Sequence, residues 1–575
     1  MSVTVVKGLH PQERVEEFVS RGWWTDETGD GLFRTRVAAH PDRLAIVDPA
    51  NRQDLVGSAP RRLTWRDLDG EVTHLAARLL ELGVTAGDVV GVQLPNTAEL
   101  AEVYLAAWTI GAAVSPLAMQ YREHEVVTMA SAAGMKVLVT AERFGDRAMA
   151  AEAVAAQTRI PSLAAVLAYG AELTAASSVE GAVVVVPQAA SDADRRAVEQ
   201  HRDQHPSDPN RLATICWTSG TESAPKGVMR AHYDWMLFSW CTVDAPRIVE
   251  DDVILNTFPI INMAGINGML LPWLRTGATM VQHHPFDMTT FFAQIAQERV
   301  TYTLAPPALL WMLLNNEELL AKIDLSSVTR IGSGSAPLQP AMVHGWQERH
   351  GIGIINFFGS NEGICLLSSL EDFPDPDDRA QYFPRYGHHG TSWTGNAAEW
   401  TRIKLVDQST GEEVTEPGRP GELFIGGPQL FAGYVGGARL ADLLDDDGML
   451  RTGDIFEIAG DDDQFLKYVD RSKDMVIRGG MNIAPAELEG LVAQHPAVAE
   501  VAIIGDPDEM LGERVAAVVA LRPDATLTLD ELVEFLRGHK IASYKLPERL
   551  EVRDALPRNP VGKLLKRELR QEVAR

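Results

Sequence analysis

Strand-like and helical stretches take turns along most of this 575-residue chain, and that alternation restricts its fold more than any other feature. Residues 63–84 (LTWRDLDGEVTHLAARLLELGV) carry apolar side chains at helical spacing. Residues 88–96 (DVVGVQLPN) read as a short buried strand running into a turn, a helix follows from Glu99, and residues 136–141 (KVLVTA) read as another strand. Such alternation predicts an α/β domain with much parallel sheet. Residues 171–208, rich in Ala, Val and charge, read as a variable stretch or loop before a strand at 213–220. After residues 417–427 (PGRPGELFIGG) the pattern becomes more β-like and glycine-rich. From about Lys473 it changes to a small α+β unit, with helices at 486–496 and 529–540 and strands at 498–506, 514–522 and 549–557. A chain this long exceeds one compact core. The boundary is expected near 471–474, giving an N-terminal domain of 1–470, a linker of 471–473 and a C-terminal domain of 474–575.

Charge and cysteine content exclude several classes. The formal net charge is -27, from 52 basic and 79 acidic residues, which argues against a nucleic-acid or anionic-membrane surface. The longest apolar stretch, 103–119, is broken by Gly111, Ser115 and Pro116, so a buried helix running into a turn is expected there and no membrane span. The first residues lack a basic region followed by an apolar one, and no secretory leader is expected. Cys216, Cys241 and Cys365 are far apart and odd in number, which predicts no disulfide framework and a reducing cytoplasm. Oligomeric state is not readable. In so acidic a chain, lysines and arginines within glycine-rich loops carry more weight than those elsewhere.

The most informative such loop is TSGTESAPKG, residues 218–227. Gly220 and Gly227 permit turns that side chains would block. Thr218, Ser219, Thr221 and Ser223 offer hydroxyls, exposed backbone N–H groups can cradle phosphate oxygens, and Lys226 adds a point charge. The P-loop signature is absent, because Lys226 precedes its glycine and no Ser or Thr follows it. Taken alone, the segment fits a polar surface turn better than an anion cradle. Further segments with chemical potential are GSGSAPL (332–338), NFFGSNEG (356–363), RTGD (451–454), DRSKDMVIRGG (470–480) and PRNPVGKLLKREL (557–569).

In this order, and over nearly the whole chain, these segments resemble the motifs of the adenylate-forming superfamily, most closely its fatty-acyl and alicyclic or aryl acyl-CoA ligases. The resemblance implies a large, multi-subdomain N-terminal α/β domain and a small, mobile α+β C-terminal domain. It also implies that Thr218, Ser219, Gly220, Thr221 and Lys226 hold the phosphates of ATP. Ser335, Ala336 and Pro337 would lie against adenine, with Phe358 stacked on it beside Gly359. Asn361 stands where the family has threonine and would donate to the α-phosphate. Glu362 would hold Mg²⁺, a hard cation that prefers oxygen ligands. Asp454 would accept hydrogen bonds from the ribose hydroxyls, and Arg471 would reach ribose or phosphate. Lys473 would be the hinge itself. Arg478, Gly479 and Gly480 would border the channel for the pantetheine arm of CoA. Lys563 would bridge the substrate carboxylate and the α-phosphate, offsetting the repulsion of two anions. Residues 421–434 match a segment read as structural.

The implied reaction joins a hydrophobic carboxylic acid to ATP as an acyl-adenylate and then transfers the acyl group to CoA. Three other readings use the same residues: specialisation for the thioester step on a supplied adenylate, loading of an acyl carrier protein, and nucleotide binding without catalysis. The departures from the family pattern are Glu222-Ser223 in the phosphate loop, Asn262 where a histidine near the reacting carboxylate is common, Asn361, and Pro560-Val561 before Gly562-Lys563. Asn262 therefore joins Lys563, Glu362 and Lys473 as a candidate catalytic position. The acyl pocket is expected from residues 235–240, 262–267, 306–310 and 359–364, and His232 is expected to be a packed or capping histidine.

Overall fold

The computed structural model describes residues 8–170, 181–218, 225–478, 481–508, 510–539, 541–558 and 564–573, with the side chains of 481 and 482 aside. Two eight-stranded sheets dominate a large N-terminal domain. The first runs Gly433–Tyr434, Lys226–Ala231, Leu212–Thr218, Ala113–Pro116, Val89–Gln93, Met135–Ala141, Ala165–Tyr169, Ala182–Val185. Its strands from Leu212–Thr218 onward are parallel, while Lys226–Ala231 folds back antiparallel so that Lys226 pairs with Thr218. The second sheet has Val253–Asn256, Tyr302–Leu304, Arg330–Gly334 and Gly353–Gly359 in parallel succession. A five-stranded antiparallel sheet follows, including Gly421–Gly426, Leu450–Ala459 and Phe465–Arg471. The smaller C-terminal domain is another five-stranded sheet, from Met481–Ile483 and Val476–Arg478 to Val498–Asp508, with helices Pro485–Val492, Leu529–Gly538 and Lys566–Val573.

Local sequence explains these elements. Parallel strands covered on both faces read as unbroken apolar runs, and all of Val89–Gln93 is buried. The helix Trp65–Glu81 starts where Thr64 Oγ1 accepts the Asp67 N–H at 3.2 Å and the Asp67 carboxylate accepts the Thr64 N–H at 3.0 Å. Such a reciprocal cap is worth about 1 kcal/mol. Two expectations change. Residues 171–208 are not simply a loop: they include the strand Ala182–Val185 and the helix Asp192–Gln204, which Ser191 caps and which buries Asp194 and Val198. The turn expected within 103–119 leads into a buried strand, Ala113–Pro116, because Gly111 reverses the chain at φ +73°. Among the described residues no helix is long and apolar enough to cross a membrane, and the three cysteines are buried free thiols.

The helix Ala98–Thr109 is buried on nearly every side, including Glu99 and Glu102. Arg52 donates to Glu99 at 2.8 Å, Arg61 to Glu102 at 3.0 Å, and the Tyr169 hydroxyl to Glu102 at 2.9 Å. Arg61 immediately precedes a strand of one large sheet and Tyr169 ends a strand of the other, so this ion cluster ties the two sheets together.

Candidate active site

The antiparallel return of Lys226–Ala231 sets the geometry. Thr218 and Lys226 face each other across the loop mouth, while Ser219, Gly220 and Thr221 lie outside the described residues. Lys226 Nζ stands 5.2 Å from the centre of the Tyr434 ring, and the Tyr434 hydroxyl donates to Glu362 Oε1 at 3.1 Å. Burial first, and then the adjacent Glu362 carboxylate, push the Tyr434 phenol upward, so it stays a donor. The segment 421–434 thus reaches the turn that carries Glu362.

Glu362 lies on the turn after Gly353–Gly359. Asn361, beside it, accepts the Met263 N–H on Oδ1 at 2.7 Å, which leaves its NH₂ as the donor end. Asn262 has a local duty: its Oδ1 accepts the N–H groups of Ala264 and Gly265 at 3.0 and 3.4 Å and caps the helix there. A Cβ added to Gly359 would lie 2.5 Å from the Ile364 carbonyl, so this turn requires glycine. At the parallel edge nearby, a Cβ at Gly332 would lie 2.1 Å from the Phe357 ring and 2.4 Å from Leu304. Just beyond, Ser335 takes a left-handed φ of +72° and is exposed with Ala336 and Pro337. A non-glycine residue held there costs on the order of 1–3 kcal/mol, strain of the kind concentrated at binding sites.

Phe358 lies among Phe383, Phe456 and Tyr468, with ring centres 5.8, 5.1 and 5.6 Å away. Phe456 and Tyr468 stand on the two strands that carry Asp454 and Arg471. Asp454 is buried, and Arg471 Nε donates to its Oδ1 at 3.0 Å. Contacts thus run from the Glu362 turn to the antiparallel sheet. Lys473 is exposed in the turn that follows, whereas Arg478 forms a two-pronged pair with Glu548, both bonds 2.9 Å. Gly479, Gly480 and Lys563 lie outside the described residues.

His232 is packed: Gly29 N–H donates to its Nδ1 at 3.3 Å, and burial lowers its pKa to about 3. The expected acyl-pocket segments divide. Trp235, Phe238 and Ile364 share one core with Leu304, whereas Leu309 and Leu310 pack into another beside Trp346. Sequence reasoning also missed Tyr434, Arg230 and Gln429. For Arg230 a signal existed: a cation inside an apolar run with an acidic partner, Asp234, four residues on.

Thr218 and Lys226 at the loop mouth, the Tyr434–Glu362 bond, the aromatic cluster around Phe358 and the Asp454–Arg471 pair are thus brought together where three sheets meet. The pattern of the AMP-binding enzyme family matches residues 33–435 and that of the AMP-binding enzyme C-terminal domain matches residues 487–563, and the chain belongs to this family. A medium-chain fatty-acid–CoA ligase of Escherichia coli (strain K12) is 28% identical over 98% of this chain and 94% of its own. An indoleacetate–CoA ligase of Aromatoleum aromaticum is 30% identical over 93% of this chain and 97% of its own. The structure of ATP-bound MatB from Rhodopseudomonas palustris superposes with a TM-score of 0.74 at 25% identity, covering 95% of this chain and 99% of that one.

Proposed function

We infer that the protein is an AMP-forming acid–thiol ligase that converts a hydrophobic carboxylic acid to its CoA thioester through an acyl-adenylate. The observation that carries this reading is the Glu362 carboxylate, held by Tyr434 beside Lys226 at the phosphate-loop mouth. Glu362 suits Mg²⁺, which is commonly held by one or two carboxylates together with substrate phosphates. When bound, Mg²⁺ offsets charge on the triphosphate.

In the first step a carboxylate oxygen attacks the α-phosphorus of ATP; that P–O bond forms as the bond to pyrophosphate breaks. Thr218, Ser219, Gly220, Thr221 and Lys226 hold the phosphates, and the Asn361 NH₂, aimed by the bond to Met263, donates to the α-phosphate. Ser335, Ala336, Pro337 and Phe358 with Gly359 receive adenine. Asp454, steadied by Arg471, accepts from the ribose hydroxyls. Asn262 acts through the helix it caps, keeping Met263 in reach of Asn361. Lys563 meets the incoming carboxylate. In the second step the C-terminal domain (474–575) turns about the linker 471–473 at Lys473, and Arg478, Gly479 and Gly480 border the thiol channel. The thiol sulfur bonds to the acyl carbon as the bond to AMP breaks. Buried free thiols suit a reducing compartment, the cytoplasm.

Replacing Lys563 with alanine tests the reading. Pyrophosphate exchange with a responsive acid should fall about a hundredfold or more, while thioester formation from synthetic acyl-adenylate changes only a few-fold. Undiminished exchange overturns it. A second acceptor is favoured by one observation: Ile477, next to Arg478, and Met510, two residues before its strand partner Gly512, are 54% and 91% exposed and offer an apolar contact for a protein-borne thiol. Free CoA and a phosphopantetheinylated carrier protein, supplied in parallel, separate the two acceptors.

A further inference from the structure

Arg230 is fully buried, and its guanidinium has no room for a substrate. Nε donates to Asp234 at 2.6 Å, one terminal nitrogen to the Asn361 carbonyl at 2.9 Å and the other to the Gln429 carbonyl at 2.8 Å. Its Cζ lies 4.4 Å from the Trp235 ring centre and 4.8 Å from that of Phe238. Asp234 is fixed in turn by the Ala231 N–H and by His10 Nε2, both at 2.9 Å.

The two carbonyls that Arg230 grips lie on either side of Glu362. Asn361 is the preceding residue. Gln429 begins the segment from which the Phe431 N–H donates to the Glu362 carbonyl at 3.0 Å and the Tyr434 hydroxyl reaches the Glu362 carboxylate. One rigid cation thus sets the spacing between the turn that carries Glu362 and the segment that aims it, and anchors both to the strand of Lys226. A planar fork with separate donors does this; a lysine ammonium, a single point of charge, cannot span the same acceptors in the same directions.

We propose that Arg230 is a positioning residue for adenylation, aiming the Glu362 carboxylate at the metal-bound phosphates through its bonds to Asn361 and Gln429. The inference rests on the reading of Glu362 as the Mg²⁺ ligand. Arg230→Lys keeps the charge beside Asp234 and removes the fork; Arg230→Gln keeps neutral donors and serves as the second variant. In the full-length protein with ATP, Mn²⁺ binding is titrated by the paramagnetic resonance of free Mn²⁺, with Glu362→Gln alongside. The Mg²⁺ requirement of pyrophosphate exchange, thioester formation from synthetic acyl-adenylate and the Tm are also measured.

Expected for Arg230→Lys are Mn²⁺ binding weakened about tenfold, a Mg²⁺ requirement raised by a similar factor, and thioester formation within about twofold of the parent. If Glu362→Gln weakens Mn²⁺ binding but Arg230→Lys does not, the inference falls and the metal reading stands. If Glu362→Gln binds Mn²⁺ like the parent, both fall. Equal losses in the two half-reactions, or failure of both Arg230 variants to fold, would make Arg230 merely structural and overturn the inference.

Discussion

Tyr434 and Glu362 illustrate how a carboxylate is held by a neutral neighbour. The phenol cannot compete for charge, because burial and Glu362 keep it protonated, so it donates at every working pH. A hydrogen bond to a charged group contributes about 1.5–3 kcal/mol, and its loss in Tyr434→Phe should reduce pyrophosphate exchange about tenfold or more. The Tm should fall by no more than a few degrees, because the same bond is lost from the folded state. Gly332 makes a steric prediction. Alanine there would place Cβ 2.1 Å from the Phe357 ring, and overpacking of this kind costs about 1–3 kcal/mol, visible as a lowered Tm. Glu362, Asp454 and Lys226 were legible because each sits inside a local motif. Their partners were not. Tyr434 lies 72 residues from Glu362, and Arg230 lies 131 from Asn361. No local pattern encodes contacts at such separations.

Among the elements, the buried helix Ala98–Thr109 carries the strongest electrostatic consequence. Desolvation raises the Glu102 pKa well above its usual value; Arg61 opposes this, while Glu71 and Glu99 reinforce it. A carboxyl raised in the folded state binds its proton more tightly there than in the unfolded chain. Its contribution to stability is whole below the unfolded pKa of about 4.3 and is lost as pH rises through the folded value. Stability should therefore decline toward alkaline pH, and Glu102→Gln, which keeps an acceptor for Arg61 without a titrating proton, should flatten that decline. Thermal melts at acidic, neutral and alkaline pH should show the variant gaining most at the alkaline end. The helix itself was legible from its apolar run. The helix Asp192–Gln204 was hidden by its Ala- and charge-rich surroundings, because it buries only Asp194 and Val198.

Across the whole molecule, alternation announced parallel α/β architecture but could not assign strands to sheets. Leu44 and Thr279 are hydrogen-bonded neighbours 235 residues apart. The change of pattern near residue 473 coincides with the place where the last strand of the antiparallel sheet, Phe465–Arg471, gives way to the first of the C-terminal sheet, Val476–Arg478. Between them the chain makes a turn: Ser472 N–H donates to the Gly453 carbonyl at 2.9 Å, and Asp474 and Met475 N–H donate to the Arg471 carbonyl at 2.9 and 3.2 Å. Those bonds hold Arg471 against Asp454 on one side and release the chain toward the C-terminal sheet on the other. If one active site serves two reactions by rotation here, then stiffening Lys473 should separate them. Proline fixes φ near −65° and restricts the preceding residue, so Lys473→Pro narrows the angles the turn can reach without touching the phosphate loop or Glu362. Adenylation should persist within about threefold, while thioester formation from synthetic acyl-adenylate and CoA falls about tenfold or more, because only that step needs the second arrangement. Single-turnover assays of each half-reaction measure the split. Equal rates of thioester formation in parent and variant would place the rotation at some other residue.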